Sequence, residues 1–233
     1  MPTAGRFQFD STVDAEEIYS EPVSDLPPVE SHSYPAKRLS AGALFCPDCR
    51  VRLDQVVPVC PSCGFTGART LNLFPSNAPA MHEWMDQAVC WNEGSRKKIL
   101  QWLKRLRRRF PQIHWCLLSI SLPEDVRLRL FNFWFLNVSP VADAEEAERR
   151  TWTILLTYDV THDRMAVTPG YQIEPLLADD DWEDLLITVK SFARERGVLR
   201  GYLEFFREAE KKLVEASRRM NDLIEHREGG RNS

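Results

Sequence analysis

The chain has 233 residues, 43% of them apolar and 27% charged, with a net charge of −4 and a pI near 5.8. That length allows one ordinary core and a smaller accessory module, and the charge gives no global electrostatic reason to bind nucleic acid or an anionic membrane. The N-terminus has no charged-then-apolar leader and apolar runs such as Trp115 to Leu122 fall short of the ~20 residues of a membrane helix, so a cytoplasmic protein without a transmembrane segment is expected.

Residues 1–40 place Pro22, Pro27, Pro28 and Pro35 among acids and serines with no sustained apolar period, the composition of a disordered tail. Residues 41–74 hold four of the six cysteines: Cys46 and Cys49 enclose two residues, Cys60 and Cys63 enclose two more, and ten residues separate the pairs. A two-residue gap lets two thiolates turn toward one ion, and two such knuckles on a hairpin complete a tetrahedral shell of four sulfurs. Val51, Leu53, Val56, Val57 and Val59 supply strand-forming residues between them. A zinc ribbon with structural Zn²⁺ is expected, since four sulfurs leave no position for water; a redox dithiol is the weaker alternative.

Residues 75–90 read as a proline-broken linker into an α/β domain over 91–215, with a helical extension and flexible end over 216–233. From Ser95, the residues Ile99, Leu100, Trp102, Leu103, Leu106 and Phe110 predict an amphipathic helix that Pro111 stops. "IHWCLLSISL" predicts a strand buried on both faces, and a second helix is predicted from Pro123 to about Asn137. "TWTILLTY" and "RMAVTPG" predict a hairpin, followed by helices at about Asp181 to Arg196 and Leu199 to Arg227. The fold expected is α/β: a short mixed β-sheet sandwiched by helices in the order α-β-α-β-β-α-α, with the zinc-ribbon hairpin ahead of it.

The stretch "TWTILLTYDVTHDRMAVTPGYQIEPLL" resembles the TPM domain family. A buried strand ends in Asp159, a short turn leads to Arg164 and a returning strand, and a step through Gly170, Tyr171 and Glu174 follows. The match runs from about Asn92 to Leu213, through "GVLRGYLEFFREA"; the family's usual glycine pair stands here as Pro169 and Gly170. The family includes a thylakoid lumen protein with acid phosphatase activity, photosystem II repair factors and membrane-anchored bacterial proteins. The resemblance therefore implies the fold, and a phosphatase-like activity as one reading.

Ligands collect outside the carboxyl ends of parallel strands. That edge holds Ser119, Ser121, Asp159, Asp163 and Arg164, with Asn92 and Glu93 expected beside it. Asp159, Asp163 and Arg164 are the candidate catalytic set; Asn92, Glu93 and Asp159 are the candidate ligands of a second divalent ion, Ca²⁺ or Mg²⁺. Loop chemistry explains the same residues, because aspartates suit turns and an Asp to Arg pair across a hairpin is a common surface contact. Cys116 reads as an inert core thiol, and Cys90 as a packed thiol with a ligand or redox role left open.

Helix one carries Arg96, Lys97, Lys98, Lys104, Arg105, Arg107, Arg108 and Arg109, a basic patch that is either a solvated face or a site for RNA or anionic lipid. "ADDDWEDL" reads as a helix start whose acids complement the dipole. Tyr202, Phe206, Ala209, Leu213, Ala216, Met220 and Leu223 form a heptad-like stripe that suggests a homo-oligomer through the last helix. The functional expectation is a protein-binding or assembly module with an unidentified protein partner. A divalent-metal-dependent phosphatase-like hydrolase and RNA or lipid binding through residues 96–109 are the alternatives.

Overall fold

Four strands form one mixed sheet. The computed structural model describes residues 44–49, 51–53, 57–75, 78–140, 150–170, 172–177 and 179–229. The expected tail of residues 1–40 lies outside the described residues, as do Val56 and Tyr171. Strands β3 (Trp84–Asp86), β4 (His114–Ile120) and β5 (Thr153–Asp159) are parallel neighbours, and β6 (Arg164–Pro169) returns antiparallel on β5. Ahead of the sheet, β1 (Leu44–Phe45) pairs antiparallel with β2 (Arg52–Leu53) in the four-cysteine segment.

Helices α1 (Glu93–Arg109), α2 (Leu128–Val138), α3 (Asp179–Arg196) and α4 (Val198–Gly229) complete an α/β architecture. Asn92 starts α1: its side chain accepts the Ser95 N–H at 2.8 Å, Glu93 stands in the first turn, and Arg107, Arg108 and Arg109 stand in the last, where they oppose the dipole. Side chains alternate along β4 and β5, so the two faces build separate cores. Trp115, Leu117, Ile154 and Leu156 pack with Ile99, Leu103 and Leu106 of α1, Leu185 and Val189 of α3, and Phe205 and Phe206 of α4. Cys116, Leu118, Ile120 and Leu155 fill the opposite face, where α2 lies against β5 and β6.

Leu128, Leu130, Phe131, Phe133, Trp134, Phe135 and Leu136 are all buried, more than one helical face holds. A helix apolar on every side needs a second partner besides the sheet. Residues of the four-cysteine segment supply it: Phe65 meets Phe133 edge-on at 5.8 Å, and Phe74 stacks on Trp134 at 5.0 Å. Each such ring removed from water contributes about 1.5–3 kcal/mol.

Two expectations change here. Residues 75–90, read as a linker, hold the edge strand β3, whose Trp84, Met85 and Asp86 pair with Leu117, Leu118 and Ser119. Met81 is fully buried with its N–H on the Pro140 carbonyl at 2.7 Å, and Trp134 Nε1 donates to the Pro75 carbonyl at 3.0 Å. A three-residue strand carries too little alternation to be read from sequence. The second helix begins at Leu128 and not at Pro123, because residues 123–126 form a turn closed by the Val126 N–H on the Pro123 carbonyl at 3.2 Å.

Candidate metal centre and strand-edge cluster

The knuckles are shaped by backbone bonds. Cys46 N–H donates to the Val51 carbonyl and Cys60 N–H to the Phe65 carbonyl, each at 2.9 Å, and Gly64 N–H returns to the Cys60 carbonyl at 2.9 Å. Gly64 adopts φ +72°, a left-handed turn that a glycine enters without steric cost. These turns bring the sulfurs of Cys46, Cys49, Cys60 and Cys63 within 4.8 Å of one another. Two of the separations, Cys46 to Cys63 and Cys49 to Cys60, are 3.7 Å. A tetrahedron with metal–sulfur bonds of ~2.3 Å has sulfur–sulfur edges of roughly 3.8 Å, so the set fits a tetrahedral metal such as zinc. Among the described residues it is the one group of three or more His, Cys, Asp or Glu at ligating separation.

Electrostatics differ across the shell. Burial pushes the Cys46 thiol up to about 12, against the opposing backbone N–H groups of Cys49 and Asp48. At exposed Cys49 the Val51 N–H draws the thiol down to about 7. Inward-facing amides are what stabilise thiolate charge once an ion is present.

The second cluster lies at the carboxyl ends of β4 and β5. Asp159 is fully buried, and its Oδ2 accepts Arg164 Nε at 3.0 Å and Nη2 at 2.5 Å. His162 Nδ1 lies 2.8 Å from the same oxygen, a spacing that the Nδ1–H tautomer bridges as donor. Oδ1 accepts the Leu122 N–H at 3.3 Å. Burial works to raise the Asp159 carboxyl, yet Arg164, His162 and the Leu122 amide together hold it below the usual carboxylate value. Asp163 sits at φ 48° in the hairpin turn, a conformation that aspartate tolerates, and accepts the Tyr158 hydroxyl at 3.1 Å.

The structure thus brings Asp159 and Arg164 together and places Asp163 beside Tyr158, on the neighbouring register position. Asn92 is engaged as the α1 cap, and Glu93 is exposed in the first turn. Ser119 donates to Asp86 Oδ1 at 2.6 Å. Sequence reasoning missed Asp86, which also accepts the Cys90 N–H at 3.1 Å and the Trp91 N–H at 3.2 Å. Its only signal was position, at the end of a strand too short to read. Cys90 is exposed and not the packed thiol expected from the sequence; partial desolvation and the adjacent Asp86 carboxylate raise its thiol to about 11, and burial raises the Tyr158 phenol to about 12, so both hold their protons at neutral pH. The Cys116 thiol, fully buried in β4, is pushed up to about 12 by burial alone.

The basic patch is partly spent inside the fold. Arg105 and Arg109 reach the buried Glu210 of α4 at 2.8 and 3.6 Å, and Arg107 reaches Glu83 at 2.7 Å. Arg96, Lys97, Lys98, Lys104 and Arg108 stay exposed. Asp181 of the acidic helix start meets Lys212 of α4 at 2.5 Å. In the C-terminal stripe Tyr202, Phe206, Ala209, Leu213 and Ala216 are core residues, whereas Met220 is 44% exposed. None of the described helices is long and apolar enough to cross a membrane.

No protein-family model matches the chain, and no curated protein matches it. Among solved structures the chain is similar to the NMR structure of BA42 protein from the psychrophilic bacterium Bizionia argentinensis, with a TM-score of 0.45 and 11% identity over 55% of this chain and 83% of that one. It is also similar to the solution NMR structure of the N-terminal domain of a P. gingivalis protein, with a TM-score of 0.39 and 15% identity over 62% of this chain and 90% of that one. Neither name states an activity.

Proposed function

We propose that this chain is a cytoplasmic protein-binding or assembly module, a TPM-like α/β domain clipped by a structural zinc ion. One observation carries the reading: the carboxylate best placed for chemistry, Asp159, is fully buried and committed to Arg164, His162 and the Leu122 amide. A general base or metal ligand needs a lone pair open to substrate or ion. The four-sulfur shell supports the same conclusion, because a closed shell anchors structure and offers no ligand position for water. Four cysteines gathered as a metal shell, with none of the six paired in a disulfide, accord with a reducing compartment.

Hydrolysis of an aryl phosphate by the metal-loaded protein, beside its Asp159→Asn variant, tests the reading. Equal residual rates in both support a binding module. Turnover that Asp159→Asn abolishes overturns it in favour of a phosphatase-like enzyme.

A further inference from the structure

A cleft of about 530 Å³ opens along the start of β6, between the Cys46 knuckle and α2 on one side and α3 on the other. Its walls carry Arg127, Arg129, Arg164, Lys190 and Arg194. Against these five cations stand two acids, Asp48 and Asp163. In a chain of net charge −4 this is a local reversal of sign. Arg127 bonds Asp48 and Arg164 bonds Asp159, whereas Lys190 and Arg194 are exposed and make no ion pair among the described residues. Cations held along one cleft attract an anionic ligand, and guanidinium groups suit carboxylates.

The floor of the cleft shows what shape that ligand has. It includes Met165 and Ala166 of β6, the outermost strand on its side of the sheet. The Gly170 N–H donates to the Thr153 carbonyl at 2.7 Å, which makes Thr153 and Gly170 a hydrogen-bonded pair. In an antiparallel ladder bonded and non-bonded pairs alternate, so Met165, opposite Tyr158, and Val167, opposite Leu156, turn their N–H and C=O groups away from β5. No backbone group among the described residues takes up those outward amides. An unpaired edge of this kind accepts an extended chain as an added strand.

We infer that the β6 edge is the docking site of an acidic peptide segment of a partner protein, which adds to the sheet as a fifth strand with its carboxylates on Arg127, Arg129, Lys190 and Arg194. The inference rests on the protein-binding reading and names the partner's chemistry. The zinc knuckle has a part in it, because Asp48 fixes Arg127 at the cleft wall.

The test uses a fluorescein-labelled decapeptide of alternating glutamate and valine, read by fluorescence anisotropy on the full chain. Binding is expected to weaken with added salt and to fall about a hundredfold in Lys190→Glu/Arg194→Glu, two exposed positions whose reversal leaves the fold intact. The same peptide N-methylated on alternate residues keeps its charge but loses the ladder, and is expected to bind about tenfold more weakly. Hydrogen exchange at the Met165 and Val167 amides is expected to slow on binding. Unchanged affinity in the double variant, equal binding of the methylated peptide, or unprotected amides each overturns the proposal. So does an RNA oligonucleotide that binds through Lys190 and Arg194 while the peptide does not. Asp159-dependent phosphate hydrolysis would instead remove the module reading itself, so the two failures are distinct.

Discussion

Arg164 meets Asp159 with two nitrogens on one carboxylate oxygen, Nε at 3.0 Å and Nη2 at 2.5 Å, across the hairpin that joins β5 to β6. The carboxylate is fully buried and the arginine side chain is 33% exposed. The pair therefore locks the hairpin from the inside.

Arg164→Met is predicted to lose about 3 kcal/mol of stability in urea unfolding, because it strands a buried charge. Asp159→Asn combined with Arg164→Met removes both charges and is expected to recover part of that loss. A single variant as stable as the wild type would show that His162 and the Leu122 amide hold the carboxylate unaided.

The same pair sets an acid limit. The Asp159 carboxyl is held below its ordinary value of 3.8 in the folded state. Its contribution is fully present above that value and is lost as the pH falls below it, toward the folded-state pKa, since the unfolded chain binds the proton first. Urea midpoints measured from pH 6 downward should drop less steeply in Asp159→Asn than in the wild type, and parallel curves would refute the assignment.

Cys46→Ser or Cys63→Ser is expected to abolish binding of about one metal ion per chain, read by elemental analysis. Since Phe65 and Phe74 cover α2, loss of the clip should also expose Phe133 and Trp134 and raise the binding of an apolar dye. Metal-free protein that keeps Phe65 and Phe74 in place would separate the ion from the packing.

Gly201 lies where α4 crosses α3: a Cβ there would stand 2.6 Å from the Val189 carbonyl oxygen and 3.1 Å from Ala193 Cβ. Alanine normally favours a helix by about 1 kcal/mol over glycine. Gly201→Ala is nonetheless predicted to destabilise by about 1–3 kcal/mol in thermal or urea unfolding, because a backbone carbonyl must move. A gain in stability would mean that the two helices separate freely.

The four cysteines, the amphipathic period of α1 and the apolar runs of β4 and β5 were legible in the sequence, because local spacing and periodicity determine a knuckle, a helix face and a buried strand. The Asp159 to Arg164 contact was legible for the same reason, as two residues at the ends of one hairpin. Strand β3 was not, since three residues become a strand only when β4 offers its edge. Nor was the place of the four-cysteine knuckle on α2. The aromatics of residues 131–135 announced burial on several sides without naming Phe65 and Phe74 as the cover. The cationic cleft gathers residues from the knuckle, α2, β6 and α3. Charges that far apart along the chain interact only once packing has set their distances, so the tertiary structure alone decided where this acidic chain presents a positive surface.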